Sequence, residues 1–285
     1  MRLRLARGVF GLALGASLLL AGPVRAQNPD TMDPEASAAK AREIIKQLIQ
    51  ATGGQAYLNA KSMECEGRRA AFGHNGQLMG YVDFKDVRVF PDQRRIDFGK
   101  KGNIIDLFTG DTGWTLDRGG VSEEPAPAVA DFEEAMKRDI HNLLRLRINE
   151  DRILMEYRGS AVVDLRFSDW VEITDADERK FRLAVDRSTH LLVRSIVITK
   201  DDQTGDRSEE ASIYTNFQPA QGVELPRQVT REKDGHRTSQ TFYDSCTMNP
   251  QLPADYFTKE ALQQRFKEVG KPEKAKKNEE KPRID

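Results

Sequence analysis

The triplet Asp111-Thr112-Gly113 is the first place where this sequence suggests chemistry, because Asp-Thr-Gly is the signature of aspartic proteases. Such enzymes need two Asp carboxylates that are close enough to share one proton. The chain contains no second triplet, and Gly110 stands where a protease loop has an apolar strand residue. Gly and Asp are also typical turn formers, so we interpret the triplet as a turn between two strands.

The histidines have neither catalytic nor metal-binding spacing. The four are His74, His141, His190 and His236. No His-Glu-x-x-His motif, Gly-x-Ser-x-Gly elbow, Walker loop or dinucleotide-binding Gly motif occurs. The sequence therefore predicts no catalytic residue, no metal and no cofactor, and it favours a protein that is not an enzyme.

Two cysteines, Cys65 and Cys246, lie near opposite ends of the chain. An exported chain meets an oxidising environment, which permits a disulfide between them. Such a bond would link the first predicted strand to the last. The alternative is two separate buried thiols, and the sequence does not decide between them.

The strongest functional signal is a set of apolar side chains that are candidates to line a cavity. Most of them lie on predicted strands, and several form a stripe on one predicted helix. The candidate ligand-binding residues are Phe84, Ile96, Phe98, Ile105, Leu107, Trp114, Phe132, Met136, Ile140, Leu143 and Leu165. Each one alone is typical of an ordinary core, so the prediction concerns the set.

These side chains need a scaffold, and the hydrophobic periodicity predicts one. Residues 36–52 have an apolar stripe at helical spacing and end at Gly53-Gly54, as helices often do. From Met63 the period changes to two, with strands at 63–72 and 78–90 around Asn75-Gly76. Shorter strands follow to about residue 117.

An inserted amphipathic helix is predicted at 129–148, after a loop at 123–127. The strand pattern then resumes. The predicted strands are 152–158, 160–167, 170–174, 179–186, 191–200, 208–217, 223–233 and 237–247. So many strands in one sheet must curl or close.

The predicted fold class is therefore mainly β with helices (α+β). We expect a curled antiparallel sheet, or open half-barrel, with an N-terminal helix and the inserted helix over its concave face. A helix that lies across a concave sheet encloses an apolar space, which is a common form of ligand site.

The N-terminal residues predict export. Residues 1–26 combine a basic start, an apolar run and small residues before a cleavage site after Ala26, as in a secretory signal peptide. Removing its four arginines from the 44 basic residues leaves 40 against 45 acidic residues, a net charge of −5. This balance argues against nucleic acid as a partner.

The predicted organisation has three further parts. Residues 27–35 form a flexible lead-in, residues 36–268 form one folded domain, and residues 269–285 form a charged tail. The tail consists almost entirely of Lys, Glu, Pro and Asn, so it is predicted to be disordered.

Several short segments, taken in order, carry a family resemblance. They are residues 80–85 (GYVDFK), 90–96 (FPDQRRI), 110–114 (GDTGW), 214–217 (YTNF) and 222–226 (GVELP). This pattern resembles the LolA/LolB-like periplasmic lipoprotein-carrier superfamily, the outer-membrane lipoprotein-sorting proteins. The resemblance implies an open half-barrel that accepts acyl chains. Lipoprotein-sorting carriers have Arg directly before the Pro that here is Pro91, and this chain has Phe90.

Three functional hypotheses follow. The first is a soluble, monomeric, periplasmic carrier of a lipid or an acylated protein, which would exchange its ligand with a membrane-bound donor or acceptor protein. The second is a periplasmic sensor that binds a protein or a peptide on the same fold. The third is a hydrolase, for which Asp111 is the candidate.

Overall fold

A computed structural model of the protein describes residues 31–200 and 205–269. The predicted signal peptide, its cleavage site after Ala26 and most of the predicted charged tail lie outside these ranges. Within the described ranges, no helix is both long enough and apolar enough to cross a bilayer.

The helices are α1 Pro34–Thr52, α2 Gln55–Leu58, α3 Ala126–Arg138, α4 Ile140–Arg145 and α5 Lys259–Val269, with a short 3-10 turn at Arg147–Asn149. The strands are β1 Ser62–Phe72, β2 Leu78–Val89, β3 Gln93–Phe98, β4 Ile104–Thr109, β5 Thr112–Asp117, β6 Gly120–Glu123, β7 Leu154–Val163, β8 Arg166–Thr174, β9 Lys180–Asp186, β10 Leu192–Lys200, β11 Arg207–Ala220, β12 Val223–Lys233 and β13 His236–Met248.

All thirteen described strands form one antiparallel sheet in the order β6-β5-β4-β3-β2-β1-β13-β12-β11-β10-β9-β8-β7. The chain builds one meander from β1 outward to β6, crosses through α3 and α4, and builds a second meander from β7 back to β13. The two meanders meet where β13 pairs with β1, and there a disulfide joins Cys65 to Cys246 in directly opposed positions.

Helix α1 forms where the sequence analysis predicts a helix. Asp33 caps its N-terminus by accepting hydrogen bonds from the backbone N–H groups of Glu35 and Ala36 at 3.1 and 3.2 Å. Gly53 ends it with φ of 139°, a conformation that suits glycine. Its apolar stripe packs on β7, β8 and β12.

The sheet has two faces with different coverings. We call the face under α1, α3 and α4 the inner face, and the main core lies there, with Leu48 of α1 against residues such as Val171 and Leu183. The opposite, outer face is covered near β5 and β6 by α5. There Leu262 completes a second core. The predicted fold class, a curled α+β half-barrel, is confirmed.

The prediction of a single inserted helix at 129–148 is wrong in detail. The chain forms α3 and α4, which are separated at Asp139. The Asp139 carboxylate accepts hydrogen bonds from the backbone N–H groups of His141 and Asn142 at 2.9 and 3.1 Å. It therefore caps a new helix in the middle of the predicted one.

The first two predicted strand breaks after Asn149, at residue 159 and at residues 168–169, are also wrong, whereas the later strands lie close to their predicted positions. Strand β7 continues through Gly159 with only a register shift between Tyr157 and Ser160. The reversal comes instead at Asp164 and Leu165, which have φ of 46° and 66°. Helix α5 and strand β6 were not predicted at all, since neither segment has a clear period.

Candidate functional site

The candidate site lies between the inner face and the segment Ala126–Arg145, which we call the cover because it lies over the sheet. Between them is a cavity of about 300 Å³. A smaller space of about 70 Å³ adjoins it. The two share the lining residues Arg88, Asp139, Ile140, Ser212, Tyr214 and Arg231. We call the pair of spaces the inner cavity.

The cover is fixed to the sheet by contacts at both of its helices. Phe132 of α3 stacks on Phe108 of β4 with ring centroids 4.5 Å apart. At the start of α4, the amide nitrogen of Asn142 donates hydrogen bonds to the carbonyl oxygens of Pro91 and Met136 at 2.7 and 3.0 Å. The polar bonds at the break hold α3 and α4 at a fixed angle over the sheet.

Arg145 ties the end of the cover to the region around α2. Its guanidinium donates to the carbonyl oxygens of Tyr57 and Leu58 at 3.0 and 3.3 Å and to that of Ala60. It also lies 4.0 Å from the ring centroid of Phe90. Phe90, the residue before Pro91, is therefore covered by an arginine from the cover.

A buried ionic network forms part of the cavity wall. Arg94 binds Asp86 through two nitrogens at 2.7 and 3.0 Å. Arg88 binds Asp86 at 3.2 Å and Asp139 of the cover at 3.0 Å. Burial alone would raise the pKa of Asp86, but the adjacent Arg88 and Arg94 hold that pKa well below its usual range.

Burial and neighbouring charges also act in opposite directions on the pKa of Asp139. Burial tends to raise its pKa, whereas the charge of Arg88 and the hydrogen bond from the Asn142 backbone hold it below the usual range. Both carboxylates are therefore ionised at neutral pH. The network joins the cover to β2 and β3 by charge as well as by packing.

His141 and Tyr57 form a second polar contact beside the inner cavity. The Tyr57 hydroxyl lies 3.1 Å from Nδ1 of His141. Burial lowers the pKa of His141 and raises that of Tyr57. Both groups are therefore neutral near pH 7, and their hydrogen bond adds no net charge to the site.

The structure places some candidate residues near the inner cavity. Met136 and Ile140 line it directly. Phe84 is buried on the inner face, and the strand register puts Ile96 and Phe98 on that face as well. Phe132 lies on the underside of the cover, and Leu143 is fully buried in the main core.

Four candidate residues lie elsewhere. Ile105, Leu107 and Trp114 are on the outer face, where they pack with Leu262 of α5. Their assignment to the cavity is wrong, because each is separated from the cover by the sheet itself. The assignment of Leu165 is wrong too, because it is 97% exposed in the turn between β7 and β8.

The sequence analysis missed the polar lining of the cavity. Asp86 and Arg88 alternate with Val87 and share the inner face with Phe84. Asp86 and Arg88 lie two and four residues after Phe84, so the alternation of strand residues predicts that all three share one face. This signal was overlooked because charged strand residues ordinarily face solvent.

A second, more open groove lies on the other side of the cover. Its volume is about 590 Å³, and its lining includes Pro91, Asp111, Phe132 and Leu146. Met136 lines both this side groove and the inner cavity. Helix α3 therefore separates two spaces. Asp111 itself lies in the turn between β4 and β5.

Several solved structures of other proteins resemble this chain in fold. A DUF1329 family protein from Desulfovibrio piger is 14% identical and has a TM-score of 0.58, with 81% of this chain and 100% of that chain covered. A LolA superfamily protein from Nitrosomonas europaea is 14% identical with a TM-score of 0.51, and the match covers 78% and 99% of the two chains.

An outer membrane lipoprotein-sorting protein domain from Vibrio parahaemolyticus is 10% identical with a TM-score of 0.51, and the match covers 79% of this chain and 99% of that chain. No family model and no curated protein matches the sequence. The similarity therefore lies in the fold: this chain has the LolA/LolB-like fold, an open, curled antiparallel sheet with helices over its inner face.

Proposed function

We propose that this chain is an exported, monomeric carrier or binder of a lipidic ligand, which it holds in the inner cavity without catalysis. The observation that carries the proposal is the position of α3. It lies over the inner face with a cavity beneath it and a groove beside it, and Met136 borders both spaces. Acyl chains of lipoproteins are one ligand of this kind.

The size of the cavity bears on how a ligand enters. Ligand pockets usually have volumes of about 300–1,000 Å³, so the inner cavity is at the small end of that range. Displacement of Met136 would join it to the side groove and create a longer space. The cover therefore acts as a movable wall that a ligand displaces.

Apolar burial supplies enough free energy for this mode of binding. Each buried CH₂ group contributes about 0.8 kcal/mol. A chain of about a dozen carbons would then offset the cost of displacing the cover and of ordering the ligand. Met136 and Ile140 supply the first apolar contacts, and Phe84, Ile96 and Phe98 extend the surface along β2 and β3.

The test uses delipidated protein and a fluorescent fatty acid. We expect saturable uptake by the wild-type chain and loss of uptake in Met136→Asp and Ile140→Asp, because each puts a carboxylate against the apolar chain. Leu165→Asp is the matched control, since Leu165 is 97% exposed. Folded wild-type protein that takes up no probe would contradict the proposal.

A second candidate function, recognition of a protein or peptide, is favoured by the edge strand β7. Leu154 and Val162 of β7 are 63% and 71% exposed, and Phe167 of β8 is 53% exposed. An open strand edge with exposed apolar residues can accept an added strand. Val162→Lys would abolish copurification of such a partner but leave fatty-acid uptake unchanged.

A further inference from the structure

The sheet wall of the inner cavity carries more positive charge than its own acids neutralise. Four arginines line the cavity, namely Arg88, Arg94 and Arg231 from the sheet and Arg138 from the cover, together with Lys233, Glu210 and Glu232. Glu210 and Glu232 form ion pairs with Arg138 and Arg194, at 3.6 and 3.2 Å. Arg88 and Arg94 belong to the buried ionic network with Asp86 and Asp139. The backbone carbonyl of Arg231 in β12 accepts a hydrogen bond from the Thr238 hydroxyl at 3.3 Å. The guanidinium of Arg231 has no hydrogen bond or ion pair within the described part of the chain.

A further arginine, Arg69, lies beyond the cavity lining near Arg231 on the same face. Arg69 is opposite Thr241 of β13, and Arg231 is opposite Ser239, two residues away on that strand. Within the described ranges Arg69 also has no ion pair. Its guanidinium lies over the Phe84 ring, 5.4 Å from the centroid.

The direction of the pKa shift of Arg69 agrees with a position close to Arg231. Burial lowers the pKa of Arg69, and the positive charges of Arg231 and Arg94 lower it further. Arg69 and Arg231 therefore repel each other, and the opposing attraction of Asp86 for Arg69 is the smaller effect. Arg69 is partly buried and Arg231 is exposed. A partly buried charge is ordinarily paired, so Arg69 with Arg231 beside it favours an anion from outside the chain.

Arginine suits such an anion because its planar fork of N–H donors matches carboxylate and phosphate oxygens. Hydroxyl groups lie nearby on the same wall. The Ser195 and Tyr214 hydroxyls are 2.8 Å apart, and Ser212 lines both parts of the inner cavity. The cover contributes the apolar side chains of Ala135, Met136 and Ile140 as well as the charged Arg138 and Asp139, so the cavity combines cationic and apolar groups.

We propose that the ligand is an anionic amphiphile, whose carboxylate or phosphate group is held by Arg231 and Arg69 while its apolar chain contacts Met136 and Ile140. This inference rests on the proposed carrier function and narrows it to a ligand class. Arg231 is exposed to the cavity mouth, so it can meet the charged group as the chain enters.

The experiment compares dansylaminoundecanoic acid with its uncharged methyl ester as fluorescent probes of the delipidated protein. We expect the acid to bind at least about tenfold more tightly than the ester, since a hydrogen bond to a charged group contributes about 1.5–3 kcal/mol. Arg231→Gln and Arg69→Gln should each reduce that preference. Neither should weaken binding of the ester.

Arg68→Gln provides the matched control, because Arg68 is adjacent in sequence to Arg69, is exposed and lies on the outer face. It should keep the full preference. Since Arg69 packs on Phe84, Arg69→Gln is accompanied by a thermal unfolding measurement. Arg231→Gln tests the same anion contact at an exposed position, where we expect a change in stability within about 0.5 kcal/mol.

The outcomes separate the two proposals. Equal binding of acid and ester, unchanged in both variants, would overturn the anionic-group inference and leave the carrier function intact. No binding of either probe to folded protein would contradict the carrier function itself.

Dodecyl phosphate should displace the acid probe, and inorganic phosphate at the same concentration should not. Displacement by inorganic phosphate alone would overturn the inference, because the apolar chain would then be unnecessary.

Discussion

The inner face of the sheet has two parts that differ in what lies against them. Under α1, strands β7–β9 present Val171, Ile173, Phe181 and Leu183, which are all at most 1% exposed. Under the cover, β2 and β3 present the paired charges around Asp86, and beside them is the inner cavity. One part of the face is filled with protein, and the other is partly empty and polar.

The filled part under α1 contributes most of the stability of the fold, and the part under the cover contains the candidate site. Full burial of a large apolar side chain contributes about 1.5–3 kcal/mol, and the part under α1 contains many such residues. The part under the cover has fewer such contacts, chiefly those of Phe132, Leu143 and Leu144, and adds ion pairs and capping hydrogen bonds, which are specific in geometry and contribute less. Regions that must open for a ligand are drawn from the less stable parts of a protein.

The largest effect is expected from Phe181→Ala in the filled part. Phe181 is 1% exposed in the main core, and removal of a buried Phe side chain costs about 3–5 kcal/mol. Urea unfolding monitored by Trp fluorescence measures this loss. Phe167→Ala, at a half-exposed position, should cost less than about 1 kcal/mol. A similar cost for both would remove the contrast between core and surface.

The next effect concerns the junction of the two meanders. Replacing Cys65 and Cys246 together by Ala removes a cross-link between residues 181 positions apart, and we expect a loss of about 2–5 kcal/mol. Unfolding with and without reductant measures it. The double variant should be insensitive to reductant, and a wild-type chain equally insensitive would show that the bond does not contribute.

Much of this architecture could be predicted from the sequence because it depends on local patterns. Helix α1 has a clear apolar stripe with caps, and most strands have a period of two. The order of segments also matched a known fold. What failed was the break at Asp139, since an Asp within an amphipathic helix is ordinarily a solvent-facing residue.

The cavity residues were only partly predictable for a different reason. Alternation in a strand separates two faces but does not say which face the helices cover. Ile105 is directly opposite Asp97, which alternates with Ile96 and Phe98 on β3, so these apolar sets lie on opposite faces. Since α5 covers the outer face there, both sets are apolar, and only the strand register distinguishes them.

Buried charged residues were the other feature that the sequence did not predict. A charged strand residue ordinarily faces solvent, yet Glu172 is 2% exposed and binds Arg158 and Arg182 at 2.8 and 2.9 Å. Burial opposes ionisation, but the two arginines lower its pKa to about 2. Such pairs arise between neighbouring strands, so a single strand does not reveal them.

An intermediate effect is expected where the cover meets the sheet. Asp139→Asn keeps a good helix cap but removes the charge that binds Arg88, and we expect a loss of about 1–3 kcal/mol. Hydrogen exchange should accelerate in α3 and α4 and remain unchanged in α1. Equal acceleration in α1 would mean that the two parts of the inner face open together.

The smallest effect is the acid dependence of the cover. The pKa values of Asp86 and Asp139 are lowered in the folded state. The stability they contribute is therefore complete above about pH 5 and is lost progressively as the pH falls past the unfolded value of about 3.9 toward the lower folded values. Each group adds at most about 1.4 kcal/mol per pH unit to the slope.

Asp139→Asn should therefore flatten the dependence of unfolding free energy on pH between about 5 and 3 relative to wild type. Phe181→Ala should lower the whole curve without changing its slope, because it removes no titrating group. If both variants shifted the curve in parallel, the carboxylates of the cover would have no part in the acid response. The contrast between an apolar, filled part and an ionic, openable part would then be lost.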